Sequence, residues 1–568
     1  MSLRWTSLIG TALHASTARR RRLLADRDWW TRNTAHVQLE QLSYLLRHAR
    51  TTRFGIEHGF GAIARHSGSA LLRAFRERVP ISDFSAFRSA ITEMRQHGAR
   101  DVLWPGLIKH YAQTSGTTAG DKFIPVSQEM MRSNFRSAMD IFALSPSFGV
   151  SLPDLTRGRS LFLGGSTDLS INQHGIATGD LSGLVTPLIR WPLSEIYSPG
   201  PTVALMSDWT KKIEAMAQQC VTQDIRMVSG MSSWQLVLFS RVIELARTRN
   251  ASVRTLRDVW PNLRLLVHGG VRYAPFDPRM REAWSGDTAG EFSPARLELY
   301  PASEAFVAMQ DTPGDPSLRL MSDVGNFFEF VPVEEISNAS PTAHAAHEVE
   351  PGQRYVVVLS TCAGLWRCIL GDVVVFDTVP DDPFAHRVGN GPARLRIVGR
   401  HKHFINAFGE NLIVENIETA VAHAAGESGL VVGEFTAAPV YPGVGTRAGL
   451  ELVVELSNPA PAALARFASA FDESLKSQCV DYSVKRSGDL GMTPPRVTPV
   501  GMGTVHRWMA SRGKLGGQHK CPRCANSREY VDGVRKAGGG VDVLNSKGST
   551  ANASESITVE LKPEAMPS

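Results

Sequence analysis

Apolar and polar positions alternate with two different periods along this chain. Between residues 34 and 50, apolar side chains recur every three or four positions, which predicts an amphipathic helix. Residues 208–219 and 233–248 show the same helical spacing. Two short apolar runs, 160–163 and 263–267, end in glycine pairs and predict buried strands that each feed a turn. Helices that alternate with buried strands are typical of a layered α/β fold.

The pattern changes near residue 400. Strongly β-branched strands precede this point, and after it a turn, an amphipathic helix, two strands and a further helix predict a small α+β unit. We therefore predict a large N-terminal domain of layered sheets and helices at residues 1–399. A small, mobile C-terminal domain follows at residues 400–536. Residues 537–568 are poor in apolar side chains, and we expect them to be disordered.

The composition is that of a globular protein with more than one core. The chain has 568 residues, of which 43% are hydrophobic and 20% charged, and no apolar run is long enough to cross a bilayer. The basic run Arg19–Arg22 has no apolar segment behind it, so it is not a secretory signal. The six cysteines are scattered, which favours reduced thiols and predicts a cytoplasmic location.

Positive charge is concentrated at the N-terminus. Residues 1–100 contain 17 arginines, no lysine and 7 acidic residues, whereas the whole chain carries a net charge of only +6. A nucleic-acid or membrane-surface arm is one interpretation. We favour a solvated face on N-terminal helices, because no recognition motif accompanies the charge. We therefore expect no nucleic-acid partner and no membrane partner. We also expect a monomeric protein.

The most informative stretch is a run rich in hydroxyl and glycine residues between two extended segments. Its members that could cradle phosphate are Thr114, Ser115, Gly116, Thr117, Thr118 and Lys122. Glycines let the backbone N–H groups turn inward, hydroxyls donate hydrogen bonds and the lysine adds a positive charge. Asp121 separates Gly120 from the lysine and a strand follows, so this is not a Walker A loop. Such a run alone is more often a solvated linker, but its apolar flanks and the lysine favour a phosphate site.

Other segments offer further nucleotide contacts. Tyr300 and Glu304 flank a turn, where the ring could stack a purine and the carboxylate could hold Mg²⁺. Asp372 follows a glycine and could accept hydrogen bonds from both ribose hydroxyls, although Gly-Asp alone is usually only a turn. A basic, glycine-rich loop near the C-terminus contains two candidate lysines, Lys514 and Lys520. Motifs for serine hydrolases, zinc peptidases and Rossmann dinucleotide sites are missing, and Cys521 with Cys524 is a weak zinc signal.

Taken in chain order, these segments resemble the motifs of the adenylate-forming superfamily of acyl-CoA synthetases, peptide-synthetase adenylation domains and firefly luciferase. Within it they most resemble the auxin-responsive acyl-acid amido synthetases, the Gretchen Hagen Three family, and its bacterial relatives. The likeness runs from about residue 35 to 530. The segments that carry it are the phosphate loop (114–122), the Tyr300 turn (300–304), the segment 361–372, the hinge (Gly399 and Arg400 with Gly409, Glu410 and Glu415) and the lysine loop (518–523).

This chain departs from the family pattern at two places. The family's third motif usually reads Tyr-Arg-Tyr-Arg before its Gly-Asp, whereas this chain has Trp366, Arg367, Cys368 and Ile369. The first arginine is kept and the second is replaced by Ile369, so contacts made by the second arginine are in doubt. Pro301 stands where a smaller residue is usual, which should stiffen the turn.

The resemblance implies a two-step ligase that uses ATP and Mg²⁺. A carboxylic acid is first adenylated with release of pyrophosphate, and an amine or amino acid then displaces AMP to give an amide. The implied phosphate and nucleotide contacts are Thr114, Ser115, Gly116, Thr117, Thr118, Lys122, Tyr300, Ser303 and Asp372. The implied metal ligand is Glu304, and the implied catalytic residues are Lys520, with Lys514 as second choice, and Arg400 at the hinge.

Two other functions remain open. The same first step could serve a thiol acceptor, either CoA or a carrier-protein pantetheine. A paralogue without catalytic activity could bind nucleotide or a partner, although Lys122, Glu304, Asp372 and Lys520 are all present. The sequence identifies neither the acid nor the amine, because acyl pockets are lined by scattered apolar side chains.

Overall fold

The computed structural model of the chain describes a defined set of residues. These are 5–114, 122–164, 169–186, 189, 191–206, 208–270, 273, 276–400, 404–405, 412–440, 449–457, 459–479, 482–483, 486, 492–512, 521–525 and 527–539. The chain divides into two compact units, the larger made mainly of residues 1–397 and the smaller made mainly of residues 398–568. The predicted disordered tail lies almost wholly outside the described residues.

The helices of the larger unit include the predicted amphipathic helix, which begins earlier than its apolar pattern, at Arg27. Asp26 caps it by accepting a hydrogen bond from the backbone N–H of Trp29 (2.9 Å). The helices of eight or more residues are Thr6–Ser16, Ala18–Ala25, Arg27–Ala49, Gly68–Arg78, Arg88–His97, Gln128–Leu144, Trp209–Cys220, Ser232–Arg249 and Asp277–Ser285. Shorter helical segments are Arg53–Glu57, Phe60–Ile63, Phe84–Phe87, Ser145–Phe148, Leu152–Leu155, Leu181–Val185, Leu193–Glu195, Pro201–Ala204, Leu256–Val259 and Val333–Glu335.

Sixteen strands lie within the described part of the first 400 residues. They are β1 (His110–Thr114), β2 (Lys122–Val126), β3 (Arg159–Leu163), β4 (Ser170–Ile171), β5 (Ala177–Gly179), β6 (Tyr197–Ser198), β7 (Ile225–Gly230), β8 (Leu265–Gly269), β9 (Ala295–Pro301), β10 (Phe306–Gln310), β11 (Leu318–Leu320), β12 (Phe327–Pro332), β13 (His344–Ala345), β14 (Arg354–Ser360), β15 (Cys368–Thr378) and β16 (Arg394–Arg400). The β-branched runs that predicted β14 and β15 are buried almost throughout, as expected of central strands.

These strands form two sheets. A twelve-stranded mixed sheet has the order β13-β12-β14-β15-β16-β11-β10-β9-β8-β7-β3-β6. Its last five strands, β9 to β6, are mutually parallel, and β10 turns back antiparallel to β9. A four-stranded sheet has the order β2-β1-β5-β4. β2 is an edge strand, which is why it can contain Pro125.

The parallel block has helices against it. Apolar side chains of Leu265 and Val267 on β8 pack in one cluster with Ile9 and Leu144 from two of the helices. Side chains alternate along a strand, so His268 faces the other side of the sheet. There the helix Ser232–Arg249 follows β7, and Gln235 hydrogen-bonds to the backbone carbonyl of Val267.

The smaller unit is built on a three-stranded sheet and two long helices. Its strands are β17 (Phe404–Ile405), β18 (Leu412–Ile413), β19 (Val432–Val440), β20 (Gly449–Leu456) and β21 (Arg496–Val500), and its helices are Val414–Ser428, Pro461–Gln478, Thr504–Ser511 and Glu529–Ala537. β20 lies between β19 and β21. The helices Val414–Ser428 and Pro461–Gln478 share an apolar core with this sheet. These elements confirm the predicted order of helix, two strands and helix.

None of the described helices is long and apolar enough to span a membrane.

Candidate active site

The parallel strands end at one edge of the large sheet. Three neighbouring strands, β7, β8 and β9, reach this edge with Gly230, Gly269 and Pro301 as their last residues. A Cβ atom on Gly269 would lie 2.4 Å from the backbone oxygen of Leu299, so only glycine allows β8 to approach β9 this closely. Ligands of open α/β sheets bind at the carboxyl ends of parallel strands, and this edge is therefore the candidate site.

The predicted phosphate loop connects β1 and β2. Thr114 and Lys122 are the last residue pair of this hairpin, and residues 115–121 between them lie outside the described part of the chain. The side chain of Thr114 is also outside it. The contacts expected from Ser115, Gly116, Thr117 and Thr118 therefore stay predictions. The Lys122 ammonium lies 5.4 Å from the centre of the Phe84 ring. This cation–π contact favours a side-chain conformation in which Lys122 extends toward Phe84.

β9 ends in the predicted nucleotide turn. The backbone N–H of Ala302 donates to the carbonyl of Ala305 (3.0 Å), which closes a tight loop around Ser303 and Glu304. Ser303 is buried and Glu304 is half-buried. Tyr300 is only 4% exposed and packs in the main apolar core. Its stacking against adenine, the contact of Ser303 and the metal ligation by Glu304 stay predictions.

Lys122 and Glu304 lie around the same buried thiol. Burial raises the pKa of Cys368, the negative charge of Glu304 raises it further, and the positive charge of Lys122 opposes the rise. Asp83 also acts on this thiol. Asp83 also caps the segment Phe84–Phe87 by accepting from the backbone N–H of Ser85 (2.8 Å). Two predicted site residues and one further carboxylate are thus close in space.

The third motif is fixed by buried polar contacts. Arg367 donates to both carboxylate oxygens of Glu329 (2.8 and 3.2 Å) and to the backbone carbonyl of Val79 (2.7 Å). The arginine shared with the family pattern therefore faces an internal carboxylate. Arg76 also donates to Oε1 of Glu329 (3.0 Å), the oxygen that accepts the longer of these two bonds from Arg367. Glu329 is not among the site residues predicted from the sequence, although a lone carboxylate in the apolar run of β12 signals a buried cation partner.

Other contacts tie the motif to its neighbours. The indole N–H of Trp366, which replaces a family tyrosine, donates to the carbonyl of Leu103 (3.1 Å). The hydroxyl of Ser127, which directly follows β2, donates to the carbonyl of Cys362 (2.5 Å). The start of the third motif is thereby joined to the hairpin that carries the phosphate loop. Asp372 is buried within β15, and its contact with ribose stays a prediction.

The proposed catalytic residues of the C-terminal part are mostly outside the described residues. Lys514, Lys520, Gly409 and Glu410 lie there, and so does the side chain of Arg400, whose backbone ends β16. Cys524 is buried in the core of the smaller unit, and burial raises the pKa of Cys521 to about 12. Within the described ranges, no three histidine, cysteine or acidic side chains are grouped as metal ligands.

Three family models match this chain in order. They are the GH3 family N-terminal domain at residues 27–198, the GH3 family central domain at residues 319–387 and the GH3 family C-terminal domain at residues 415–529. Together they span most of the chain, and they include the nucleotide-loop hairpin and the small α+β unit.

Curated relatives and solved structures agree with these models. The indole-3-acetic acid-amido synthetase GH3.3 of Arabidopsis thaliana is 22% identical over 596 residues, which cover 92% of this chain and 94% of the relative. The jasmonoyl-L-amino acid synthetase JAR4 of Nicotiana attenuata is 23% identical, over 61% of this chain and 67% of the relative.

Two solved structures show the same fold. The acyl acid amido synthetase AtGH3.15 in complex with 2,4-DB superposes with a TM-score of 0.73 at 18% identity, covering 94% of this chain and 98% of that one. A 2-hydroxyisobutyryl-CoA ligase in its postadenylation state gives a TM-score of 0.51 at 15% identity, covering 88% and 90% of the two chains. The predicted fold class, α/β with a large N-terminal domain and a small α+β C-terminal domain, is confirmed.

Proposed function

Because the chain belongs to the GH3 family, we propose that it is an ATP-dependent ligase that joins a carboxylic acid to an amine through an acyl adenylate. The observation that supports this most directly is the order of the three family domains along the chain. Curated relatives named as amido synthetases cover almost the full length of the chain. The placement of Lys122 and Glu304 around one buried thiol adds to this support.

In the first step a carboxylate oxygen of the acid attacks the α-phosphorus of ATP. The bond from that phosphorus to the bridging oxygen of the β-phosphate breaks, and pyrophosphate leaves with both electrons. The obstacle is the approach of one anion to another, so catalysis consists mainly of alignment and charge neutralisation. Lys122 would neutralise the β- and γ-phosphates together with the hydroxyls and N–H groups of residues 114–118. Asp372 would hold the ribose and Tyr300 the adenine.

The residues present fit a magnesium ion that is bound mainly through ATP. Mg²⁺ is usually held by one or two carboxylates together with substrate phosphates. Glu304 would supply one such carboxylate, and the described residues contain no group of three or more potential metal ligands that would form a separate protein cage. Bound Mg²⁺ would supply positive charge at the departing pyrophosphate. The protein would contribute the orientation of the Glu304 carboxylate, which is set by the tight turn after β9.

In the second step the nitrogen of the amine attacks the acyl carbon. The bond from that carbon to the phosphate oxygen breaks, AMP leaves, and the nitrogen loses a proton as the amide forms. We propose that Lys520 stabilises the charge at the α-phosphate during the first step, with Lys514 as the second candidate. Arg400 lies at the joint about which the smaller domain would turn between the two steps. We also propose that residues 1–399 bind ATP and the acid, and that residues 400–536 carry the lysine loop.

The acceptor distinguishes this proposal from its nearest alternative, a thioester ligase that uses CoA or a carrier protein. The experiment is to measure AMP release with one accepted acid while an amino-acid panel or CoA is added. Amine-dependent release with a matching amide in the mass spectrum supports the proposal. Release that requires CoA contradicts the amide step and leaves adenylation intact. Because ATP is the substrate and all six cysteines, each among the described residues, are thiols, we propose that the enzyme acts in the cytoplasm.

A further inference from the structure

Three buried side-chain atoms at the carboxyl ends of β7 and β8 have no hydrogen-bond partner among the described residues. They are Ser232 Oγ, Gln235 Oε1 and His268 Nδ1, and the three residues are 0%, 0% and 4% exposed. A buried polar atom without a partner destabilises a fold, so native proteins contain few of them. Three such atoms within one small region indicate that a bound molecule supplies their hydrogen-bond partners.

The orientation of the Gln235 amide is fixed by the backbone. Its Nε2 donates to the carbonyls of Val267 (3.0 Å) and Gly230 (3.2 Å), the latter at the end of β7. Carbonyl oxygens accept only, so a rotated amide would place two acceptors against each other. Oε1 is therefore held as an acceptor that points away from both strands. Ser232 lies three positions earlier on the same helix, and positions i and i+3 share one face.

His268 faces the same side of the sheet as this helix, and it pairs with Gly230 in the register of β7 and β8. Burial, together with the positive charge of Arg296, lowers the pKa of His268 to about 3, so the ring is neutral at physiological pH. The imidazole packs against the Tyr273 ring with 4.6 Å between ring centres. The guanidinium of Arg296 lies over the Tyr273 ring (4.5 Å) and is paired with Asp277 (3.0 Å).

We propose that Ser232, Gln235 and His268 select acyl acids that carry an uncharged hydrogen-bonding group, a hydroxyl or a ring N–H, away from the carboxylate. This rests on the proposed ligase function. His268 is the penultimate residue of β8, which pairs with β9, and Ser232 and Gln235 lie in the first turn of the helix that follows β7. In the proposed ligase, the acid meets ATP at this edge of the sheet, next to the nucleotide turn of β9. They include no free cation that would suit a phosphate or a second carboxylate. An uncharged polar group satisfies all three atoms without burying a net charge.

The test compares pairs of acids of similar size that differ in this one group. Indole-3-acetate is paired with 1-naphthaleneacetate, 4-hydroxybenzoate with benzoate, and 10-hydroxydecanoate with decanoate. The readout is kcat/KM for acid-dependent ATP–pyrophosphate exchange. A site built to bind a substrate hydroxyl or N–H discriminates strongly against an analogue that lacks it. We expect the polar member of at least one pair to be preferred by roughly 100-fold or more.

The variants Ser232→Ala and His268→Leu each remove one unpartnered atom. We expect each to reduce the preference about 10-fold, the effect of one hydrogen bond. The Tm of the unliganded protein should not fall, because the removed atom has no partner there, and the Kd for ATP should stay unchanged. Ser145→Ala is the matched control, because its buried hydroxyl already donates to the carbonyl of Ile141 (2.7 Å). It should leave the preference unchanged.

Equal rates for both members of every pair would overturn the selectivity and leave the ligase function standing. A weakened Kd for ATP in Ser232→Ala would also overturn it, by assigning the group to the nucleotide. Exchange with none of the acids would contradict the proposed ligase function itself, and the selectivity with it.

Discussion

Replacing Arg367 by methionine tests the structural role of the arginine that this chain shares with the family motif. The side chain is 4% exposed and donates two hydrogen bonds to Glu329, one to the carbonyl of Val79 and a longer one to the carbonyl of Arg76 (3.3 Å). Its loss leaves a buried carboxylate with one remaining cation, Arg76. Breaking a buried ion pair costs about 3–5 kcal/mol. Because Arg76 remains as a second cation, we expect a loss of stability at the lower end of this range, about 3 kcal/mol. The carbonyl of Val79, which loses its donor, adds about 1 kcal/mol.

This loss converts into a measurable shift of the melting temperature. Unfolding entropy is about 2.1 cal/mol/K per residue, so the larger unit, with roughly 400 residues, changes its Tm by about 1.2 °C for each kcal/mol. We therefore expect Arg367→Met to lower the Tm by about 5 °C in differential scanning calorimetry. ATP–pyrophosphate exchange below the transition should keep its KM for ATP.

The double variant Arg367→Met with Glu329→Gln provides the control. Removing both charges leaves Arg76 paired with Glu348 (2.6 Å), so the double variant should be more stable than Arg367→Met alone. The reasoning is refuted if Arg367→Met keeps the wild-type Tm and loses exchange, because the arginine would then contact a substrate.

Three further predictions concern other parts of the molecule. Glu304→Gln should lower exchange about 100-fold and move its Mg²⁺ dependence to higher concentration, whereas an unchanged Mg²⁺ dependence would exclude Glu304 as the ligand. His268 has a folded-state pKa far below its unfolded value, so unfolding takes up a proton below about pH 6.5 and stability falls as the pH falls. Between pH 7 and pH 5, denaturant titrations should show that the free energy of unfolding of His268→Leu falls by about 2 kcal/mol less than that of wild type. If the free energies of both proteins fall in parallel with pH, the imidazole ring is not buried in its neutral form. The carboxylate of Glu451 is fully buried and pairs with Arg528 (2.5 Å) and Arg535 (3.2 Å). Glu451→Gln should therefore destabilise the smaller unit by about 3 kcal/mol. A variant as stable as wild type in denaturant titrations would contradict this.

Local elements of this fold could be predicted because their causes are local. All but the last residue of the predicted helix 34–50 lie within the helix Arg27–Ala49, and β-branched residues mark β14 and β15. The predicted extended segments on both sides of the phosphate loop are β1 and β2. Each of these signals depends on neighbours within one turn or one strand.

Contacts between distant residues could not be predicted in the same way. Arg367 and Glu329 are 38 positions apart, and Arg76 is 253 positions from Glu329. No spacing rule relates them, although a carboxylate in the middle of an apolar strand was a usable signal. The strand order of the large sheet is likewise set by pairings of distant segments, such as β11 with β16.

In the candidate site, too, local features could be predicted from the sequence and contacts between distant residues could not. The order of its motifs was visible in the sequence, but the closeness of Lys122, Glu304 and Asp83 depends on three segments meeting at Cys368. The burial of Tyr300 was also not visible, because a tyrosine beside a turn is as often exposed as packed. The polar atoms of Gln235 and His268 stand out only once their partners are counted.

Adenylation is the central claim, and ATP–pyrophosphate exchange across a panel of aryl, indolyl and fatty acids tests it most directly. Wild type is compared with Lys520→Ala, and Lys514→Ala serves as the matched control. We predict acid-dependent exchange that falls about 100-fold or more in Lys520→Ala and persists in Lys514→Ala. Loss of exchange in Lys514→Ala alone would move the catalytic role to that lysine. Measurable ATP binding without exchange for any acid would contradict the account.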